Sequence, residues 1–383
     1  MNFLLTYNST LIMELTTSIF NTSHFKHLYF QHNEEPFWNP ALQSISLKYM
    51  GVHGYLSLFV CFFGIPTNVI NITVLTRKHM QTPINFILTS MAVFDILTMC
   101  SYVPFALHFY CQYPSGYISE EKNSYGWMMF LIFHVNFSAT AHTISIWLGV
   151  SMAIFRYRHI HSPAKGSLTR MRRLIRARLV VFVIIIASVI LMIPNYMSNK
   201  LVRYQNTTMF ILRDLELGTP HVRAVVMMNL MLYSSLAKIF PCILMIIYGS
   251  MLLKTVNRRL LAVSRKVKRG VFSNKPRDTS KTTTMLLTVI VLFLLTEFPQ
   301  GILIILSVVL KGFFDNVYIP LGDAMDILAL INNAINFILY CSMSGEFRRT
   351  LKKLFCTFKR RKSKNVIIDF QRERTQSTWL SLK

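Results

Sequence analysis

The sequence predicts an all-α protein, a bundle of seven membrane-crossing helices followed by an amphipathic helix lying on the membrane surface. Three observations carry that expectation. Seven long apolar stretches divide the 383 residues. The basic residues between them gather on one side. The composition, 52% hydrophobic and 15% charged, would leave a soluble protein of this length with too much apolar surface. Roughly 20 apolar residues suffice for a helix to cross a hydrocarbon core about 30 Å thick. Gly54–Leu75, Pro83–Tyr110, Trp127–Ile154, Leu179–Tyr196, Val225–Leu253, Met285–Leu310 and Ile319–Met343 meet that length or come close to it.

Orientation follows from charge. With the amino terminus outside, Lys and Arg number 2 in Arg77–Met80, 8 in Arg156–Arg178, 10 in Lys254–Lys281 and 12 after Met343, so 32 of the 41 lie on the inner side. This is the asymmetry that sets membrane topology. The net charge of +25 therefore reads as topology plus attraction to anionic inner-leaflet lipid, not as a nucleic-acid surface. No span is short or early enough to read as a cleaved signal peptide, so the first span is expected to direct insertion.

In chain order, residues 1–52 read as a mobile extracellular leader. Its sequons at Asn8 and Asn21, with that at Asn206 in the second outer loop, are candidate glycosylation sites; Asn71 and Asn136 also head sequons but lie inside spans. Residues 53–343 form the seven-helix domain. Of six cysteines, Cys61, Cys100, Cys242 and Cys341 fall within spans, Cys111 at the outer end of the second, and Cys356 in the tail. No disulfide can join two outer loops, so packing and loop contacts must hold that face. The basic loop Val256–Ser280 is expected to extend the fifth and sixth helices around a flexible centre at Gly270, Asn274 and Pro276. Residues 344–357 place Phe347, Leu351, Leu354 and Phe355 on one helical face and Arg348, Arg349, Lys352 and Lys353 on the other, the pattern of a basic interfacial helix. Cys356 at its end is a candidate for palmitoylation. Residues 358–383 read as a disordered cytoplasmic tail.

Polar residues inside spans cost about 2.5–3.5 kcal/mol each when charged at the bilayer centre, which makes them functional candidates. Asn68 and Asp95 stand midway along the first two spans, and Asn332, Asn333 and Asn336 precede Tyr340 in the seventh. A carboxylate among amides can hold a sodium ion or a proton, or anchor helices by hydrogen bonds. Lys238 in the fifth span and Glu297, just before Pro299 in the sixth, either pair across two helices or respond to ligand beside a proline hinge. In the third span Ser138, His142 and Arg156 share a face. At 1.5 Å per residue the first two stand about 27 and 21 Å above the third, in an outer cavity. A structural histidine remains an alternative role for His142. No nucleophile elbow, phosphate loop, dinucleotide fingerprint or zinc spacing occurs, so catalysis and metal binding are not expected.

These residues resemble a rhodopsin-like (class A) G-protein-coupled receptor across all seven spans. The resemblance rests on Gly64-x-x-x-Asn68, Met91-Ala-x-x-Asp95, Arg156-Tyr157, Pro241, Pro299 and Asn336-x-x-x-Tyr340. It departs at Phe155, where the acid of Asp/Glu-Arg-Tyr is missing, at Glu297 in place of Trp, at Phe337 in place of Pro, and at Leu131 in place of the cysteine that staples the second outer loop. The runs Phe137-Ser-x-x-x-His142-Thr-Ile-Ser-Ile-Trp-Leu148, Thr296-Glu-Phe-Pro-Gln-Gly-Ile302 and Asn333-Ala-Ile-Asn-Phe-Ile-Leu-Tyr340 are similar to invertebrate, notably nematode, myosuppressin and FMRFamide-like peptide receptors.

That resemblance implies a plasma-membrane receptor for an amidated neuropeptide, often ending in Arg-Phe-amide. It also implies heterotrimeric G protein of the inhibitory type and arrestin as partners, with Arg156, Tyr157, Asn336 and Tyr340 in activation. A chemosensory receptor for a small molecule would share the fold. A guanidinium needs a carboxylate, and the candidates are Glu120, Glu121, Asp214, Glu216, Asp323, Asp326 and Glu297; Tyr102, Phe105, Phe298 and Tyr318 are candidate apolar walls. With Phe155 in place of the acid, Asp278 is a candidate restraint on Arg156.

Overall fold

A computed structural model of the chain describes residues 37–113, 117, 119–162, 166–197, 199–203, 210–214, 228, 231–268, 277–354 and 356. Seven of its helices are long and apolar enough to cross a membrane. The face of the bundle where the first helix begins is termed the amino face, and the opposite one the carboxyl face.

Helix α1 spans Pro40–Leu75, fourteen residues longer at its start than the apolar stretch from Gly54. The cause is local: Asn39 Oδ1 accepts from the amides of Ala41 and Leu42 at 3.0 and 3.2 Å, and Pro40 suits the first helical position. The last part of the expected leader is thus helical, while Asn8 and Asn21 lie outside the described residues. Helix α2, Pro83–Ala106, is capped by Thr82, whose Oγ1 accepts from Asn85 N at 3.1 Å. Beyond Pro104 it widens into a π-helical turn, Leu107–Gln112.

Helix α3, Tyr125–His161, is the axis. Of its apolar window 83% is buried, against 22% for that of α4, Ser167–Met197, which leaves α4 as a lipid-facing edge. A short antiparallel hairpin follows, β1 Asn199–Arg203 and β2 Phe210–Asp214, with Asn199 opposite Asp214. Asn206 falls between its strands, outside the described residues. A π-helical turn, Tyr233–Ile239, leads into α5, Phe240–Lys268. Helix α6 spans Arg277–Val309 around Pro299. Both extend past the apolar stretches as expected; 269–276, with Gly270, Asn274 and Pro276, lie outside the described residues. The turn Phe314–Tyr318 leads into α7, Ile319–Met343.

Helix α1 packs on α2 and α7, and α2 on α3. Gly64 sets the first approach, since a Cβ there would stand 2.4 Å from Met99 Sδ and 3.0 Å from Ala334 Cβ. Residues 345–354 form a further helix. Its Phe347, 1% exposed, packs on Phe337 and Tyr340. Arg348 donates to the carbonyls of Cys341 and Ser342 at 3.0 and 2.7 Å, satisfying the last carbonyls of α7. His79 Nε2 and Thr350 Oγ1 meet at 2.8 Å. Cys356 is exposed.

All six cysteines are unpaired, and side chains close the amino face instead. Phe37 meets Phe313 edge-on at 5.4 Å, and Gln43 Nε2 donates to Asn316 O at 3.2 Å. His108 stacks on Trp127 at 3.7 Å and meets Lys122 O at 3.2 Å. Leu201 of β1, like Trp127 and Phe130, packs on the cluster that holds Met128 and Leu131.

Candidate ligand cavity and buried polar sites

A cavity lies within the amino half of the bundle. Thr98 and Tyr102 of α2, His134, Val135, Ser138 and His142 of α3, Gln300 of α6, and Asp326, Ala329, Leu330 and Asn333 of α7 line it. Helical period explains the wall: His134, Ser138 and His142 recur every fourth residue, and Asp326, Ala329, Leu330 and Asn333 follow three- and four-residue steps. Four predicted residues, Ser138, His142, Asp326 and Asn333, meet there, joined by Tyr102. Among the described lining residues Asp326 is the only carboxylate.

Beneath the wall is a charge site drawn from three helices. Glu297 is 1% exposed, and Lys238 Nζ donates to its Oε2 at 2.5 Å. His142 Nε2 stands 3.0 Å from both of its oxygens. Lys238 also donates to Gln300 Oε1 at 2.9 Å. Gly301 permits this closeness, for a Cβ there would lie 2.7 Å from Ile239 Cδ1 and 3.2 Å from Lys238 Cβ. Glu297 and Lys238 therefore support the cavity without lining it.

Asp323 also stands off the wall. Tyr110 OH donates to its Oδ1 at 2.8 Å, while Oδ2 has no hydrogen-bond partner among the described residues. Tyr102 OH meets His53 Nε2 at 2.9 Å, and Phe105 stacks on His134 at 4.4 Å. The acids Glu120 and Glu121 lie on a loop, where Tyr113 OH donates to Glu121 Oε2 at 2.8 Å. The side chains of Asp214 and Glu216 lie outside the described residues. On the same loop Lys122 is 2% exposed, and burial pushes its ammonium down to about 8.

Sequence reasoning missed His53, Tyr110, His134 and Gln300. The four-residue step from His134 through Ser138 to His142 was a legible signal. Gln300 had none, since a glutamine beside a proline carries no pattern of its own.

A second polar site lies deeper. Ser145 Oγ donates to Asp95 Oδ1 at 3.1 Å and Asn336 Nδ2 to Oδ2 at 3.2 Å. Asn68 Nδ2 bridges Gly64 O and Asn333 O, both at 3.0 Å, and Asn71 Nδ2 donates to Asn68 Oδ1 at 3.3 Å. Asn333 thus belongs to both sites, through its backbone here and as a lining residue above. Towards the carboxyl face Arg156 is buried, 8% exposed. Tyr157 packs against His161 at 4.3 Å and Tyr248 at 6.1 Å, and His161 Nε2 meets Thr255 Oγ1 at 3.2 Å. Phe155 packs on the apolar cluster with Leu148 and Met152. The side chain of Asp278 lies outside the described residues.

Residues 55–358 match the family described as the serpentine type seven-transmembrane G-protein-coupled chemoreceptor Srw. The chain belongs to this receptor family. Several curated relatives are receptors rather than enzymes. The receptor is 28% identical over 367 residues to the G-protein coupled receptor dmsr-1 of Caenorhabditis elegans, covering 84% of this chain and 71% of that one. It is 27% identical over 352 residues to the sex peptide receptor of Drosophila melanogaster, covering 85% and 77%. With the FMRFamide receptor of the same fly it shares 23% over 338 residues, covering 86% and 58%. The seven apolar helices and the family together make the receptor a multi-pass membrane protein.

Proposed function

We propose that this receptor binds an amidated peptide of the FMRFamide-like or myosuppressin-like class at the plasma membrane and signals through inhibitory heterotrimeric G protein. The observation that carries the reading is Asp326, the one carboxylate among the described residues that line the cavity, where a basic ligand side chain finds its counter-charge. The printed names of the FMRFamide and sex peptide receptors support a peptide ligand. The 32 basic residues that the sequence gathers in alternate segments between spans and after the seventh support an amino terminus outside, with Asn8, Asn21 and Asn206 available to glycosylation.

Peptide binding favours a state in which the carboxyl ends of the helices part and a G-protein helix enters beside Arg156 and Tyr157. Arrestin uses the same face. The basic face of residues 345–354 and Cys356 supply contact with lipid. A sodium ion fits the deeper site in donor chemistry, because the Asp95 carboxylate and the Ser145 hydroxyl offer hard oxygen atoms; it would be held there and stabilise the resting bundle. The family's description as chemoreceptors favours a second reading, a small-molecule chemosensory receptor.

The test is G-protein activation in cells expressing the receptor, challenged with Phe-Met-Arg-Phe-amide and myosuppressin-like peptides. The expected result is a nanomolar response, lost in Arg156→Ala at intact surface expression and strongly weakened in Asp326→Asn. Silence across the peptides from a surface-expressed receptor supports the small-molecule reading.

A further inference from the structure

The cavity wall above the Lys238–Glu297 pair has a definite hydrogen-bonding polarity. Gln300 is 4% exposed and His142 is 5% exposed, and both line the cavity. Lys238 carries only donors, so the Gln300 oxygen must face it, as observed at 2.9 Å. That orientation turns Nε2 and its two protons away from the lysine. His142 commits Nε2 to Glu297, and neither it nor Gln300 hydrogen-bonds any further described residue. Lys238 already balances the carboxylate of Glu297. A carboxylate can only accept, so the Nε2 that meets Glu297 carries a proton, and in the neutral tautomer this leaves a bare lone pair on Nδ1. One donor and one acceptor therefore face the cavity.

We infer that Gln300 Nε2 and His142 Nδ1 form a subsite that reads a terminal carboxamide and rejects the free acid. A primary amide is the complement of this pair: its oxygen accepts from Gln300 and its nitrogen donates to His142. A carboxylate has acceptors alone. One of its oxygens would face the His142 lone pair, and its charge would be desolvated beside a cation already engaged by Glu297. The Lys238–Glu297 pair acts as a positioning element, holding both readers in the orientations that make the discrimination. The assignment rests on the peptide reading of this cavity and deepens it by naming the two residues that choose the ligand's end group.

The test compares Phe-Met-Arg-Phe-amide, the free acid and the methyl ester in G-protein activation, at receptor levels matched by surface labelling. In the wild type the amide is expected to be about 10- to 100-fold more potent than either analogue, the scale of one unmatched buried hydrogen-bonding group. In Gln300→Leu and His142→Phe the amide is expected to lose that advantage while acid and ester change little. A purely structural role would weaken all three together and leave their ratios unchanged, which would overturn the assignment. The ester comparison needs no variant: it keeps the acceptor and lacks the donor, so an ester as potent as the amide also sinks the subsite. A strong amide preference that survives both substitutions leaves the peptide reading standing and removes this one. A surface-expressed receptor that answers none of the three removes both.

Discussion

The receptor buries two polar sites in its bundle, and they are built on opposite plans. The site under the cavity sets a lysine against a glutamate, with His142 and Gln300 completing their hydrogen bonds. The deeper site holds one carboxylate, Asp95, served by a hydroxyl and an amide. In the first, each charge is tolerable because of the other, so single removals are expensive. In the second, the partners are neutral dipoles, so removing the charge strands nothing. The difference teaches where the bundle is brittle: the paired site should behave as a structural joint with ligand readers attached, and the single-carboxylate site as an adjustable core.

The sharpest way to break that comparison is Glu297→Gln, which leaves Lys238 without its counterion. It is expected to cost about 3–5 kcal/mol, read as a large fall in the melting temperature of detergent-solubilised receptor and in surface expression. Adding Lys238→Met should recover most of the loss. A double variant no more stable than the single would mean the pair is not a joint. Next comes Gly301→Val, which forces a side chain against Ile239 and Lys238 and should cost about 1–3 kcal/mol by overpacking; unchanged melting would show that α6 need not approach so closely.

Asp95→Asn is expected to cost less, about 1–2 kcal/mol, since shape and one of the two accepted hydrogen bonds persist while charge assistance goes. With sodium held at this site, replacing choline chloride by sodium chloride should raise the melting temperature of the wild type and leave that of Asp95→Asn unmoved. The pH-dependent test concerns Lys122, outside the spans, whose ammonium is lowered by burial. The unfolded chain releases this proton near 10.5 and the folded chain near about 8. Between those values the unfolded state holds the extra proton, so stability rises with pH across the window. Lys122→Met should flatten that slope in melting curves recorded from pH 8 upwards.

Legibility in the sequence differed by element. The seven spans were plain, because apolar length is a local property. The start of α1 at Pro40 was not, since its first residues are too polar for a hydropathy window, although Asn39-Pro40 is a cap signal in its own right. The hairpin after α4 left no strong trace in a segment with only five residues per strand. Of the candidate ligand residues, Ser138, His142 and Asp326 reached the wall because helical period aligns them, and Asn333, expected in the deeper polar network, lines it too. Lys238, Glu297 and Asp323 did not, because their side chains are taken up by Gln300, His142 and Tyr110.

What the sequence determined by itself is whatever the membrane reads locally: seven crossings, the one-sided basic charge, the proline positions and the motif residues that mark the family. In hydrocarbon each backbone must satisfy itself within its own helix, so such properties need no knowledge of neighbours. Only the tertiary structure decided the pairings. Glu297 finds Lys238 59 residues away and His142 155 residues away. Those meetings depend on how each helix is rotated and how closely Gly64 and Gly301 let backbones approach. Rotation and approach come from packing many weak contacts at once, and no single stretch of sequence carries that sum.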